Sequence, residues 1–505
     1  MKLSRMFRSA LLLFSFLLLV QQVHGQCPPL AAGSYTVGGA GASFPTLDSA
    51  LNRLRCAGVS GPVTLQLAAG TYSGRFVLDS LPGAPHRIRI QGNGGAVFSR
   101  GSSVLAAESF VLRGGRWELV HLAFERSVPL LNNGPMVHIQ GGRQHRLSNN
   151  RFTDRSYGPY PGSTAILFRG GDSLRVDSNA FSGWGRVFYA DSVSQAQALV
   201  FERNLIEDYS DIALQLSGIA AADIRFNHFR NASFRRGAPL AMGFNECSTL
   251  QVYGNRITGQ LPNIAVGWRA PRGSQAAPNQ FYNNEIAGIA SVEPFSGDYN
   301  LVELSFFASG AAQNLVMAHN TLRILRPAGS QQAAQLLAIW GQPRNIDSMS
   351  VTSNLLVEEG VSVAHSSLVH QADSSNSGIG FFYNVYWKSD TTRMFKRGAV
   401  ISGTYYTGLQ QWQQLTGRDL GARLVNPNWL QPDVLFRPTA IAADNAGLVT
   451  SWPPTDITGL VRGSIPDAGA REFEPLPAEL QLGELFVNSS GCVGSSIASL
   501  QFAVQ

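Results

Sequence analysis

The sequence predicts an all-β solenoid: a single-stranded right-handed parallel β-helix with an N-terminal capping helix. Three observations predict it. The chain has 505 residues, more than one hydrophobic core usually fills, so it must either divide or grow along an axis. Charged residues are only 14%, hydrophobic residues are 44%, and there are 52 Gly and 25 Pro. That is too apolar for disorder and suits many short strands punctuated by turns. Finally, a motif recurs in which an apolar residue is followed three positions later by Asn and five positions later by a second large apolar residue.

The motif has nine copies. It reads Leu147, Asn150, Phe152; Val176, Asn179, Phe181; Phe201, Asn204, Ile206; Ile224, Asn227, Phe229; and Val252, Asn255, Ile257. It continues as Phe281, Asn284, Ile286; Met317, Asn320, Leu322; Val351, Asn354, Leu356; and Phe381, Asn384, Tyr386. The nine Asn span 234 residues in steps of 23 to 36, a solenoid-like period. Residues before each Asn often alternate, as in Leu174-Arg175-Val176, so each copy encodes short strands rather than a helix. Asn tolerates the left-handed backbone region, and its amide can pair with neighbouring backbone. At one place in successive coils it forms a stacked ladder. The apolar residue two positions on then points into the lumen, and insertions loop out of a constant core. Roughly a dozen coils at the β spacing give a rod on the order of 60 Å long.

The elements follow in order. Lys2, Arg5 and Arg8 precede an apolar run from Ala10 to Val20, and Val23-His24-Gly25 offers a cleavage site. Residues 1–25 therefore read as a secretory signal peptide, too short in its apolar run for a transmembrane anchor. Removing it lowers the net charge from +6 to +3, and no basic run with interleaved aromatics points to nucleic acid. Residues 26–62 read as the N-terminal cap, with Leu47, Ala50, Leu51 and Leu54 at helical spacing and Thr46 as the N-cap. Residues 63–400 read as the β-helix, opened by Val63–Leu67 and Gly70-Thr71-Tyr72. Residues 401–474 read as its C-terminal cap, with a helical stretch from Gly408 to Leu415. Residues 475–505 read as a linker and the start of a β-sandwich-like segment. Of the four cysteines, Cys27 and Cys56 form a candidate disulfide, with connectivity left open. Cys247 reads as a buried apolar residue. Five histidines along the repeat, His138, His228, His319, His365 and His370, lack ligand spacing, so no metal site is expected.

At this point the chain resembles the pectin-lyase-like superfamily, and more narrowly the secreted bacterial right-handed β-helix repeat proteins common in Bacteroidetes. Phe44, Thr46, Ala50 and Leu51 with Gly70-Thr71-Tyr72 carry the resemblance, together with the Asn repeat. So does a closing motif, Asp456, Gly459, Arg462, Pro466-Asp467, Gly469-Ala470 and Glu472. The resemblance covers roughly residues 33 to 474. It implies the β-helix fold, export to the medium or cell surface, and a polysaccharide or cell-surface glycan as partner. It supplies calcium as the one cofactor to consider and none from the residues themselves. Polygalacturonase, pectin-esterase and calcium-dependent pectate-lyase motifs are absent. Whether the chain cleaves glycan, as a lyase or a hydrolase, or only binds it is therefore left open. The alternative is a noncatalytic, adhesin-like surface or matrix protein. A monomer is expected.

One constellation remains. Asp154 and Asp208 each lie four positions after a ladder Asn, two coils apart, which places them about 9–10 Å apart if the coils register. Asp208 is accompanied by Tyr209 and Asp211. Trp184 and Arg186 come from the coil between, and Arg235 and Arg236 from the next. Asp154, Asp208 and Asp211 are the catalytic candidates. Trp184, Arg186, Tyr209, Arg235 and Arg236 are the candidates for stacking on sugar rings and holding a uronate carboxylate. The competing reading is a solvated turn with scattered charge. Trp268, Arg269 and Arg272 read as a long insertion that covers the rod.

Overall fold

In the computed structural model the described residues are 27–475, apart from 82–85, 101–107, 128–133, 156–162, 191–197, 233–239, 292–297, 307–313, 342–347, 362, 373–377, 400–401, 431–436 and 451. The signal-peptide segment, Arg235, Arg236 and the β-sandwich-like segment lie outside them. The chain forms two compact units, one of residues 1–156 with 166–179 and one of residues 157–165 with 180–505.

In each unit the chain runs repeatedly through three strands, and each strand pairs in parallel with its counterpart one coil on. This is a right-handed parallel β-helix. Face A carries the strand before the ladder Asn, face B the strand after it, and face C the third strand. In the first unit face A runs from Gly33–Val37 through Val63–Leu67 to Ser173–Asp177. In the second it runs from Ala198–Glu202 to Ile379–Phe382.

The ladder explains the repeat. In each pair within a unit, the backbone N–H of one Asn donates to Oδ1 of the Asn a coil on, at 2.9–3.1 Å. Its Nδ2 donates to a backbone carbonyl of the coil before, as Asn284 does to Val252 at 2.9 Å. The ladder Asn are almost fully buried, so these bonds satisfy groups that would otherwise be costly inside. One expectation needs correction. The left-handed residue is the one before each ladder Asn: Asn149, Ser178, Arg203, Phe226, Gly254, Asn283, His319, Ser353 and Tyr383. The Asn is needed for its amide, and its tolerance of the left-handed region plays no part.

The large residue after each Asn points inward. In the first unit Phe98, Phe124 and Phe152 stack at centroid distances of 5.5 and 4.5 Å. In the second, Phe181, Ile206, Phe229, Ile257, Ile286, Leu322, Leu356 and Tyr386 are successive register partners. The second-unit ladder ends on an acid. Asn384 Nδ2 donates to Asp419 Oδ1 at 3.0 Å, and the Tyr386 hydroxyl donates to Oδ2 at 2.6 Å.

Two helices stand where helical spacing predicts them. Helix α1, Leu47–Ala57, begins with a capping box in which the Thr46 side chain accepts from the Ser49 N–H, and Leu47, Ala50, Leu51 and Leu54 are buried. A rung strand, Gly33–Val37, already precedes it. Cys27 and Cys56 are disulfide-bonded across 29 residues. Loop-closure entropy for that span is about 3–4 kcal/mol. Cys56→Ser should therefore lower the urea midpoint, and an unchanged midpoint would show that the bond constrains nothing. Helix α2, Leu409–Thr416, follows the last full coil and buries Trp412 against Phe395.

The closing motif does not extend the coil stack. It folds back over face B. The Ala470 N–H donates to Thr321 Oγ1, Gly469 N–H to the Ser353 carbonyl, and Arg462 to Asn283 Oδ1. Asp456 accepts backbone N–H groups of Thr458, Leu460 and Glu472, and Asp467 accepts those of Asn445 and Phe473. The motif's acids thus tie a strap together.

Candidate functional site

A ligand surface on a β-helix needs outward side chains that the protein has not already paired. In the second unit the strap covers part of face B: Thr321 and Leu355 are buried, and Glu285 is ion-paired to Arg471. On face A, Glu202 is tied to Arg225 at 2.7 Å. Tyr253 and Tyr282 stack on one another at 4.8 Å, and Trp452 of the strap covers Tyr282. A cavity of about 550 Å³ beside the closing motif is lined by Arg437, Asp456, Thr458, Arg471, Glu472 and Glu474. Three of these, Asp456, Arg471 and Glu472, already hold the strap.

Face C differs. In the strands Arg186–Ala190, Ile212–Ser217, Leu240–Asn245, Ile264–Arg269 and Tyr299–Phe306, the residues Tyr189, Gln215, Gly243, Gly267 and Glu303 occupy one register position in successive coils. Two consecutive glycines stand in this column, Gly243 buried and Gly267 half-buried. Ile212, Leu240, Ile264 and Asn300 form the adjacent column. The Leu240 side chain lies over both glycines: a Cβ added at Gly243 would be 2.8 Å from Leu240 Cδ2, and one at Gly267 3.4 Å from Leu240 Cδ1. Beyond Glu303 the column closes, because Ala338, His370 and Lys396 are buried.

The polar groups sit at the ends and along one edge. Glu303 accepts a hydrogen bond from Asn300 Nδ2 at 2.7 Å, which orients its carboxylate. Arg269 stands between Asn245 and Ser305 in register, one coil before Glu303. It is exposed and makes no side-chain hydrogen bond or ion pair among the described residues. At the other end Arg186 Nε donates to Asp211 Oδ2 at 2.7 Å, with its guanidinium 5.3 Å from the centre of the Tyr189 ring. From Gln215 to Glu303 is three coil steps, about 14 Å.

Several expectations change. Arg186 and Asp211 do come together and border this face. Trp184 and Tyr209 cannot stack on a ligand, because they are 0% and 1% exposed. Their rings fill the coil interior, and burial pushes the Tyr209 hydroxyl pKa up. Asp208 sits in a turn at φ 53, where its Oδ1 accepts the Ala232 N–H at 3.1 Å. Asp154, in the first unit, ends the strand Arg151–Asp154 in register with Arg126 and offsets the charge of that buried guanidinium. Trp268 and Arg269 do not belong to an insertion. They lie in a face C strand, Trp268 inward and Arg269 outward. Arg272 follows that strand and pairs with Glu246. Among the described residues no three His, Cys, Asp or Glu side chains converge.

No family model matches the sequence, and no curated protein matches it. Solved structures similar to it include the following two. One is a GH136 lacto-N-biosidase from Eubacterium ramulus, at 12% identity over 72% of this chain and 68% of that one, with a TM-score of 0.41. The other is the pectate lyase Pel9A, at 15% identity over 89% and 98%, with a TM-score of 0.35. The ladders and coil plan themselves fit a pectin-lyase-like β-helix.

Proposed function

We propose that the chain is a polysaccharide-binding β-helix protein that lays a uronate-containing glycan along face C of its second unit. The observation that supports this reading is the run of Gly243, Gly267 and Glu303 in one register column, with the unpaired Arg269 at its edge. The Leu240 and Ile264 side chains that lie over the two glycines offer an apolar surface that suits the C–H face of sugar rings. Glu303 accepts hydroxyl hydrogen bonds, and Arg269 holds a carboxylate by charge-assisted bonds. The protein named in one similar structure, a pectate lyase, is in keeping with such a glycan. A signal peptide and a cap disulfide are consistent with an exported protein.

Binding is favoured over two-carboxylate hydrolysis. Asp211 and Glu303 stand about three coils apart, roughly 14 Å, beyond the 6.5–9.5 Å of an inverting pair.

Calorimetric titration with oligogalacturonides tests the reading. Gly267→Phe is the sharpest variant: a Cβ there is in ordinary van der Waals contact with Leu240 and Ile264, and the ring extends past them to cover this part of the face. It should abolish measurable binding while leaving the circular dichroism spectrum unchanged. Arg269→Gln and Glu303→Gln should each weaken binding about tenfold or more. Unaltered affinity in all three variants would place the glycan elsewhere.

A further inference from the structure

The coil interior of the second unit is apolar until its last turns, where it changes character. On face C, Leu304 and Ile339 occupy one buried inward column, and the next two rungs place Gln371 and Arg397 in it. Gln371 is 0% exposed, and neither its amide oxygen nor its amide nitrogen has a hydrogen-bond partner. The buried Nε of Arg397 has none either, nor does the buried Nη1 of Arg418, just beyond helix α2. Trp412, on that helix, is fully buried with an unpartnered indole N–H, and its ring stacks on Phe395 at 5.0 Å.

The two guanidiniums are near enough for their charges to interact, and neither has a counter-charge among the described residues. Burial, and then the charge of Arg397, push the Arg418 pKa down. The acid next in sequence, Asp419, is spoken for by Asn384 and Tyr386. Neither arginine has a salt bridge to any described carboxylate. An uncompensated, partly buried like-charge pair is costly, and so is an amide with both ends unmet. Almost every unmet group here is a donor. Arginine forks suit planar or tetrahedral oxyanions in particular. Both arginines are only half-buried, so the region is open to solvent on one side.

We propose that this end of the coil interior is a binding site for a small oxyanion, held between Arg397 and Arg418 with Gln371 donating from the floor. The ligand is a sulfate, a phosphate or the carboxylate of a sugar acid. The site is separate from the face C groove, and its occupancy stands or falls independently of glycan binding there.

The experiment titrates the full chain with sodium sulfate, sodium phosphate and sodium galacturonate at ionic strength matched by sodium chloride, following heat and thermal midpoint. The expected result is a saturable signal with at least one anion, above chloride. The anion that gives it tells an inorganic ligand from a sugar acid. Arg418→Gln should weaken binding about tenfold or more, and Arg418→Lys should retain part of it. If Arg418→Gln does not fold, Arg397→Gln serves in its place. No saturable signal with any of the three anions overturns the proposal. So does a signal that folded Arg418→Gln or Arg397→Gln leaves unchanged.

Discussion

Replacing Asn320 with alanine should lower the unfolding free energy by about 3–5 kcal/mol. Its side chain is fully buried, and its amide is satisfied at both ends. Oδ1 accepts the backbone N–H and the Nδ2 of Asn284, both at 3.0 Å. Nδ2, with two hydrogens, lies 2.9–3.1 Å from three acceptors, the Phe281 and Ala318 carbonyls and Asn354 Oδ1. Alanine removes these bonds and strands donors on one coil and acceptors on others, where water cannot replace them. Each net bond is worth only about 1 kcal/mol, but an orphaned buried group costs about 1–3 kcal/mol. The loss is therefore set by what is left behind. Gln251, an exposed strand residue on face A, gives the contrast: its alanine variant should stay within about 0.5 kcal/mol of wild type. Urea unfolding followed by circular dichroism measures both. A loss below about 1 kcal/mol at Asn320 would mean that the ladder is decorative.

The ladder's acid terminus gives the second large effect, and it depends on pH. Burial raises the Asp419 pKa to about 6, although its bonds to Tyr386 and Asn384 pull the other way. For a carboxylate raised above its unfolded value near 4, the folded state binds the extra proton. The stabilisation is fully present below pH 4 and is lost as pH rises through 6. An asparagine keeps an acceptor for Asn384 and never ionises. Asp419→Asn should therefore match wild type near pH 4 and exceed it by roughly 2–3 kcal/mol at pH 7. The difference between the two proteins is the quantity to follow, because other groups titrate in the same range. Asp467, raised to about 7 mainly by burial, acts in the same direction. His319 and His370, lowered to about 3 and about 4 by burial, act oppositely, since they must charge when the pH falls. Those groups are common to both proteins and cancel. A difference that does not grow between pH 4 and 7 would refute the assignment of Asp419 as the buried, ionising terminus.

The interior was legible in the sequence and the exterior was not, for a physical reason. The Asn marks one corner of each coil, and strand alternation then fixes what lies within two or three residues of it. Phe152 and Phe229 could be placed inside by counting. Face C follows a turn whose length varies from coil to coil, and steps of 23 to 36 residues absorb that variation. No count from Asn227, Asn255 or Asn284 brings Gly243, Gly267 and Glu303 into one column. Trp184 and Tyr209 were misplaced for the same reason. They lie in that variable turn, where an aromatic residue can close over the core as readily as it can face solvent. A visible signal for Arg269 was the alternation Ile264-Ala265-Val266-Gly267-Trp268-Arg269, a strand pattern with a glycine inside it.

A crystal structure of the protein soaked with a galacturonic acid hexamer tests the central claim most directly. The account predicts sugar density over Gly243 and Gly267, running between the Arg186–Asp211 pair and Glu303, with a carboxylate on Arg269. Density confined to face A, to the strap or to the coil end, or none at a concentration that saturates binding in solution, would contradict it.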